Sequence, residues 1–283
     1  MKRFSSKLTA YFWLARLNRT VMVAVVTGAA AFVAGAGVLR SLWMTLAGWC
    51  LATGGFSMDF YADRNMDSAM RHRIHHNPLA DGSLSPTTGL VFSLTFIAVS
   101  FVITVLSAPR ALVPWSIVLL IIIGLALHLF ETPVARALTL GLLQALYLFM
   151  GGAAGTLSRG LYLLAGTLFF AMLGGRGMVD IRDFLEDTVT DVQTMPKRFG
   201  MKRTVIFITI CLHIAYLLSL AAYFTGEFTI VYLYFIMALI IIGLISTWLF
   251  ATRPSPTLAY FLTPVFMMLQ GTLLVLGMVL GSL

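Results

Sequence analysis

The chain has 283 residues, of which 59% are hydrophobic and only 11% are charged, and its mean hydropathy is +0.94. A soluble domain of this length cannot bury so much apolar surface, so the composition excludes a soluble protein and predicts a polytopic membrane protein. The net charge of +8 does not indicate nucleic-acid binding, because the basic residues flank apolar segments and form no soluble basic face.

The apolar segments predict an all-α protein of about nine transmembrane helices bundled around a central cavity. Each segment has close to the roughly 20 residues that a helix needs to cross a bilayer. The predicted spans are 20–38, 42–58, 89–107, 111–130, 137–154, 160–178, 204–225, 229–250 and 259–280. The connections between them are too short to hold a further domain, so residues 1–283 are predicted to form a single membrane-embedded domain.

Several residues within the spans predict local packing and sidedness. Gly151, Gly152 and Gly155 crowd the end of the fifth span, which predicts close helix packing there. His128 and His213 lie within predicted spans and are predicted to be buried interior histidines.

Of the 19 Lys and Arg residues, 16 lie on the side of the N-terminus. The positive-inside rule therefore predicts that the N-terminus and the mouth of the site described next are cytosolic.

Two acidic windows, residues 59–67 and 180–187, interrupt the apolar sequence and contain seven of the 11 acidic residues. Within each window the spacing places three carboxylates on one face of a helix. Stacked like charges repel, so the arrangement favours divalent cations between the carboxylates and predicts a site for Mg²⁺ and a diphosphate. The predicted metal ligands are Asp59, Asp63, Asp67, Asp180, Asp183 and Asp187.

These motifs resemble those of the UbiA-type intramembrane prenyltransferase superfamily, which has NxxxDxxxD after its second helix and DxxxD after its sixth. Here the first window reads Asp59-x3-Asp63-x3-Asp67, and residues 77–85 follow the family's Arg-Pro-Leu-x-x-Gly-x-x-Ser pattern. The second window is followed at residues 193–200 by a stretch similar to the family's Thr-Leu-Pro-x-x-x-Gly. Residues 11–16 resemble the segment before the family's first helix, so the resemblance covers the whole chain.

The resemblance implies Mg²⁺-dependent transfer of a prenyl group from an allylic diphosphate to an aromatic or lipid-like acceptor within the membrane. It implies catalytic roles for Asp63, Asp67, Asp183 and Asp187. Elementary chemistry agrees, since neutralising the leaving diphosphate promotes ionisation and an apolar pocket keeps water from the carbocation. The implied partners are the prenyl diphosphate, the acceptor and membrane lipids, with no nucleic acid.

The chain departs from the family pattern where phosphate is usually held. Asp59 stands where the family has Asn, and Asn77 stands where an Arg usually contacts phosphate, so Arg73, His75 or His76 would have to replace it. Weaker candidates for contact with the diphosphate are Arg64, Arg73, His76, Asn77, Arg136, Arg182 and Lys197.

Two other functions remain open at this stage. A terpene cyclase of the same fold would use the same site without an external acceptor. An ion-coupled transporter would bind its coupling ions to the acidic residues, although transporter sites usually lie near the bilayer midplane and these carboxylates cluster at one membrane face.

Overall fold

The computed structural model describes residues 7–69, 77–184 and 193–283, and these residues form helices and connections with no strand. A 3₁₀ turn, Pro109–Ala111, precedes the helix that begins at Leu112. The helices are α1 Lys7–Ala15, α2 Leu17–Val33, α3 Val38–Ala69, α4 Pro86–Ser107, α5 Leu112–Ala126, α6 Pro133–Gly152, α7 Arg159–Arg182, α8 Met195–Phe199, α9 Met201–Tyr223, α10 Ile230–Thr252 and α11 Pro256–Gly281.

The helices confirm the all-α membrane fold that the sequence predicts. In the described ranges, seven helices are long and apolar enough to cross a membrane, and the pair α1 and α2, bent by 45°, makes up to eight. The predicted number of about nine is therefore approximate. The remaining long helix is α3, whose 32 residues extend about 48 Å, well beyond the roughly 30 Å of a bilayer core. The first acidic window lies on the C-terminal part of α3. The central cavity and the single domain stay predictions.

Ser-Pro or Thr-Pro pairs mark the beginnings of three long helices. Ser85, Thr132 and Ser255 each accept a hydrogen bond from the backbone N–H three residues later, and a proline follows each of them. The side chain satisfies a backbone donor that has no partner within the helix, and the proline fixes φ at a helical value. These pairs explain why α4, α6 and α11 begin where they do.

The glycines at the end of α6 bring its backbone into contact with α2. A Cβ atom on Gly151 would lie 1.9 Å from the carbonyl oxygen of Thr27, and one on Gly155 would lie 2.0 Å from that of Ala34. The backbone N–H of Thr156 also donates to the Ala34 carbonyl at 2.9 Å. The predicted close packing is confirmed, because no side chain fits between these backbones.

Glu227, in the connection between α9 and α10, binds the beginning of α7. Both of its carboxylate oxygens accept from the backbone N–H of Gly160, at 3.1 and 3.0 Å, and one also accepts from the Ser158 hydroxyl. A carboxylate here satisfies backbone donors and interacts favourably with the positive end of the helix dipole.

Replacing Glu227 by Ala is expected to lower the free energy of unfolding by about 1–2 kcal/mol, because α7 loses an acceptor and a compensating charge at its N-terminus. Thermal unfolding of the purified protein in detergent measures the effect. Glu131→Ala removes an exposed carboxylate from the connection between α5 and α6 and is the matched control. Equal unfolding temperatures for both variants would contradict the capping role.

Candidate active site

The first acidic window begins at the surface and runs into the protein. The side chain of Asp59 is 34% exposed and that of Asp63 13%, whereas Asp67 is buried. Because the three residues are four apart on α3, they form one row whose depth increases along the helix.

Arg16, at the bend between α1 and α2, faces the outer end of this row. Its guanidinium lies 3.7 Å from the Asp59 carboxylate and 4.0 Å from the ring centroid of Phe60. Arg16 has a positive φ of 46°, which is rare for a residue with a side chain. Strained backbone of this kind is concentrated at functional sites.

His128 contacts the middle of the row, and its predicted position inside a span is wrong. Helix α5 already ends at Ala126, and His128 has a φ of 55° in the turn that follows. The hydrogen bonds from the N–H groups of His128 and Leu129 back to Leu125 and Gly124 form a helix-ending motif in which the left-handed residue is usually glycine. The imidazole Nε2 lies 3.6 Å from Asp63 Oδ1.

The second histidine predicted to be interior is also placed differently. His213 lies on α9 with an exposed side chain, and its ring nitrogen Nδ1 is 2.7 Å from the Thr209 carbonyl oxygen. It is therefore an outward-facing residue whose ring interacts with its own helix.

Asn77 holds the inner end of the row. Its amide group donates to the Phe60 carbonyl at 2.8 Å and to Asp67 Oδ2 at 3.0 Å, and its Oδ1 accepts from the Leu79 N–H. Asn77 is fully buried, and both of its amide hydrogens are used within the protein. This geometry does not provide the predicted contact between Asn77 and a diphosphate; the residue orients Asp67 instead.

In the second window, arginines accompany the described carboxylates. Asp180 is almost completely buried, with Oδ1 2.7 Å from Arg176 and Oδ2 accepting from the Met195 N–H at 3.0 Å. Asp183 and Arg182 form a two-point ion pair, at 2.6 and 2.8 Å. Asp180 thus joins α7 to the segment that follows the second window.

Arg136, in the first turns of α6, lies between the two windows. It is within electrostatic range of Asp59 and Asp63 on α3 and of Asp180 and Arg176 on α7. It forms no ion pair within 4 Å with any carboxylate of the described ranges. Arg136 is therefore close enough to carboxylates of both acidic windows to interact with each of them.

Arg19 adds a further positive charge near these carboxylates. It is within electrostatic range of Arg16, Arg176 and Arg182 as well as Asp59. Arg16, Arg19 and Arg176 are not among the site residues predicted from the sequence. A signal was present, since an arginine at or inside an apolar span is costly and usually has a functional or paired role.

The other predicted residues lie at the edges of this site or outside the described ranges. Arg64 stacks on Tyr61, with 4.2 Å between its guanidinium carbon and the ring centroid, and donates to the Tyr61 carbonyl oxygen. Lys197 is half-buried on α8. The predictions for Arg73, His75, His76 and Asp187 fall outside the residues that the structure describes.

The chemistry of the donors fits Mg²⁺. The candidate ligands of the two windows are carboxylates, the hard oxygen ligands that Mg²⁺ prefers, and no thiol of the described ranges lies in either window. Within the described ranges no three acidic, His or Cys residues are already grouped closely enough to hold a metal. Cations that offset the carboxylates are predicted from the sequence, and Arg16, Arg176 and Arg182 offset Asp59, Asp180 and Asp183 in part.

The fold and the sequence can be compared with known proteins. The sequence matches the UbiA prenyltransferase family over residues 21–280. The chain belongs to this family. The predicted superfamily and enzyme class, a prenyltransferase, are therefore confirmed, and an integral multi-pass membrane protein follows from the apolar helices.

Relatives of this UbiA-family chain include digeranylgeranylglyceryl phosphate synthases of two organisms. The enzyme of Sulfolobus acidocaldarius is 29% identical over 82% of both chains. That of Natronomonas pharaonis is 27% identical over 89% of this chain and 91% of its own.

Two solved structures show the same fold. One concerns digeranylgeranylglyceryl phosphate synthase in membranes, with a TM-score of 0.78, 20% identity and 98% coverage of both chains. The other is a UbiA homolog from Archaeoglobus fulgidus bound to DMAPP and Mg²⁺, with a TM-score of 0.72 and 16% identity. That match covers 93% of this UbiA-family chain and 98% of the homolog.

Proposed function

We propose that this UbiA-family enzyme transfers a prenyl group from an allylic diphosphate to an aromatic or lipid-like acceptor within the membrane. The observation that carries the proposal is the position of Arg136, in electrostatic range of Asp59, Asp63 and Asp180. A cation between two acidic windows suits a ligand that brings both phosphate groups and metal ions.

The arginines supply the binding of phosphate. Arg16, Arg176 and Arg182 are each paired with a carboxylate, and Arg19 lies among them. Guanidinium groups bind phosphate oxygens with two parallel hydrogen bonds, so this cluster replaces the arginine that the family usually has where this chain has Asn77. The arginines also draw negative charge onto the leaving diphosphate as its bond to the prenyl carbon breaks.

The carboxylates would hold Mg²⁺. Asp59, Asp63 and Asp183 have partly exposed side chains, and Asp67 and Asp187 complete the two motifs. We assign Asp180 mainly to positioning, because its side chain is only 1% exposed, against 24% for Asp183, and its oxygens are engaged by Arg176 and Met195. Bound Mg²⁺ would neutralise the diphosphate as a Lewis acid.

The acceptor supplies the nucleophile. Its attacking atom forms a bond to the prenyl carbon and loses a proton, while diphosphate leaves. The rings of Phe56 and Phe60 lie 5.3 and 4.0 Å from the Arg16 guanidinium and stabilise its positive charge. The relatives named as digeranylgeranylglyceryl phosphate synthases favour a lipid-like acceptor. We infer from the distribution of Lys and Arg that the mouth of the site is cytosolic.

The assay that tests this function uses the full chain in nanodiscs with a panel of allylic diphosphates and candidate acceptors, with Mg²⁺ or with EDTA. We expect Mg²⁺-dependent release of diphosphate and a prenylated acceptor. A hydrocarbon or alcohol formed without acceptor would instead identify a terpene cyclase. No diphosphate release from any substrate would overturn the proposal and leave ion-coupled transport open.

Replacing Asn77 by Ala is expected to weaken the activation of the enzyme by Mg²⁺ by about 10–100-fold, because Asp67 loses the group that orients it. Titration of activity with Mg²⁺ at saturating diphosphate measures the shift. Asn65→Ala, on the exposed side of α3, is the control. An unchanged Mg²⁺ requirement in Asn77→Ala would contradict the positioning role.

A further inference from the structure

A groove between α9 and α10 lies outside the candidate active site. Its volume is about 500 Å³, within the usual range for small-ligand sites. Helix α9 packs mainly on α7, and α10 packs mainly on α11, which leaves a cleft between α9 and α10. The lining residues are Met201, Lys202, Val205, Ile206, Thr209, Ile210, Ala251 and Pro254.

The groove is apolar along its length and positively charged at one end. The lining on α9 runs from Met201 to Ile210, about 13 Å along the helix axis. Ile206 and Ile210 are 49% and 54% exposed, so they present apolar surface towards the bilayer. Lys202 is the charged residue of the lining, and its side chain is exposed.

The charged end of the groove is level with the active-site end of the bundle. Helix α9 begins directly after the segment that Asp180 holds through Met195. Arg203 and Arg253 are exposed nearby on the ends of α9 and α10 and add to the positive charge. Basic pockets between transmembrane helices at this depth attract anionic lipid headgroups.

We propose that this groove is a binding site for one anionic phospholipid. Lys202 pairs with the phosphate of the headgroup, and one acyl chain lies along Val205, Ile206 and Ile210. The charge at the membrane-surface end and the apolar surface below it match the two parts of such a lipid. The site is separate from the carboxylates and arginines of the proposed reaction.

Native mass spectrometry of the full chain in detergent tests the site with phosphatidylglycerol and phosphatidylcholine as probes. We expect one retained phosphatidylglycerol and weaker retention of phosphatidylcholine. Lys202→Ala is expected to lower retention of phosphatidylglycerol about fivefold, the value of one basic residue near an anionic headgroup. Arg203→Ala removes the same charge from the neighbouring position, which does not line the groove, and is expected to lower retention clearly less than Lys202→Ala does.

A second pair of variants tests the apolar part. Ile206→Trp fills the groove and is expected to abolish retention, whereas Ile245→Trp, at a lipid-exposed position on α10 outside the lining, is expected to preserve it. Equal losses of phosphatidylglycerol in Lys202→Ala and Arg203→Ala would overturn the proposal. Equal retention of phosphatidylglycerol and phosphatidylcholine by the unmodified protein would also overturn it, as would retention of neither lipid. Displacement of phosphatidylglycerol by geranyl diphosphate would also overturn it, because the groove would then be a substrate site.

Discussion

Asp63→Asn is expected to lower turnover by about 1000-fold or more while the protein still folds and inserts. The side chain keeps its shape but loses the charge that the proposed Mg²⁺ site requires, a loss of about 4 kcal/mol or more in the transition state. Asp183→Ala is expected to have an effect of similar size, since it removes a carboxylate from the other window. Product formation under single-turnover conditions measures both.

Asp81→Asn is the matched control for the charge change. Asp81 lies outside both acidic windows, and its Oδ1 accepts from the Ser83 N–H, a bond that the Asn side chain retains. We expect near-normal turnover in this variant. An Asp63→Asn enzyme that is as active as Asp81→Asn would refute the role assigned to the first window.

Arg136→Met is expected to lower kcat/KM for the prenyl diphosphate by about 100-fold or more. The guanidinium is within electrostatic range of both acidic windows and has no ion pair within 4 Å in the described ranges. In the proposed reaction its removal takes away a positive charge that would stabilise the leaving diphosphate. Steady-state kinetics with varied diphosphate separate the effect on binding from that on turnover.

Two further variants make the Arg136 result specific. Arg136→Lys keeps the charge but not the two-pronged geometry, and we expect it to restore part of the activity. Arg110→Met removes an exposed arginine from the 3₁₀ turn before α5, at the end of α5 that is remote from its connection to α6. This variant is expected to have wild-type kinetics. If Arg110→Met and Arg136→Met were equally active, the diphosphate would not depend on Arg136.

The apolar segments and the glycines of α6 could be interpreted from sequence because their effects depend on local composition. A run of apolar residues predicts a span in any bundle, and Gly151 allows close approach whichever helix lies opposite. The spacing of the aspartates likewise predicts that their side chains lie on one face of one helix. The membrane fold and the row on α3 therefore followed from residues close together in the chain.

The contacts of the site required the tertiary structure. Arg16 and His128 adopt left-handed backbone that sequence pattern does not assign to them, and His128 ends α5 at a position where glycine is usual. Asn77 interacts with Asp67 only because the chain returns to the side of α3 after the first window. Arg176 and Asp180 are four residues apart on α7, so their proximity could have been predicted, whereas the bond from the Met195 N–H to Asp180 depends on tertiary structure.

The contact between α2 and α6 has a consequence for how a hydrophobic molecule can reach the interior. Where Gly151 and Gly155 bring the two backbones together, there is no layer of side chains that can rotate aside. Widening this seam would require the helices themselves to separate and the bond between Thr156 and Ala34 to break. If the proposed prenyl substrate arrives from the bilayer, we therefore expect its tail to enter the interior between other helices and not through this end of the α2–α6 seam.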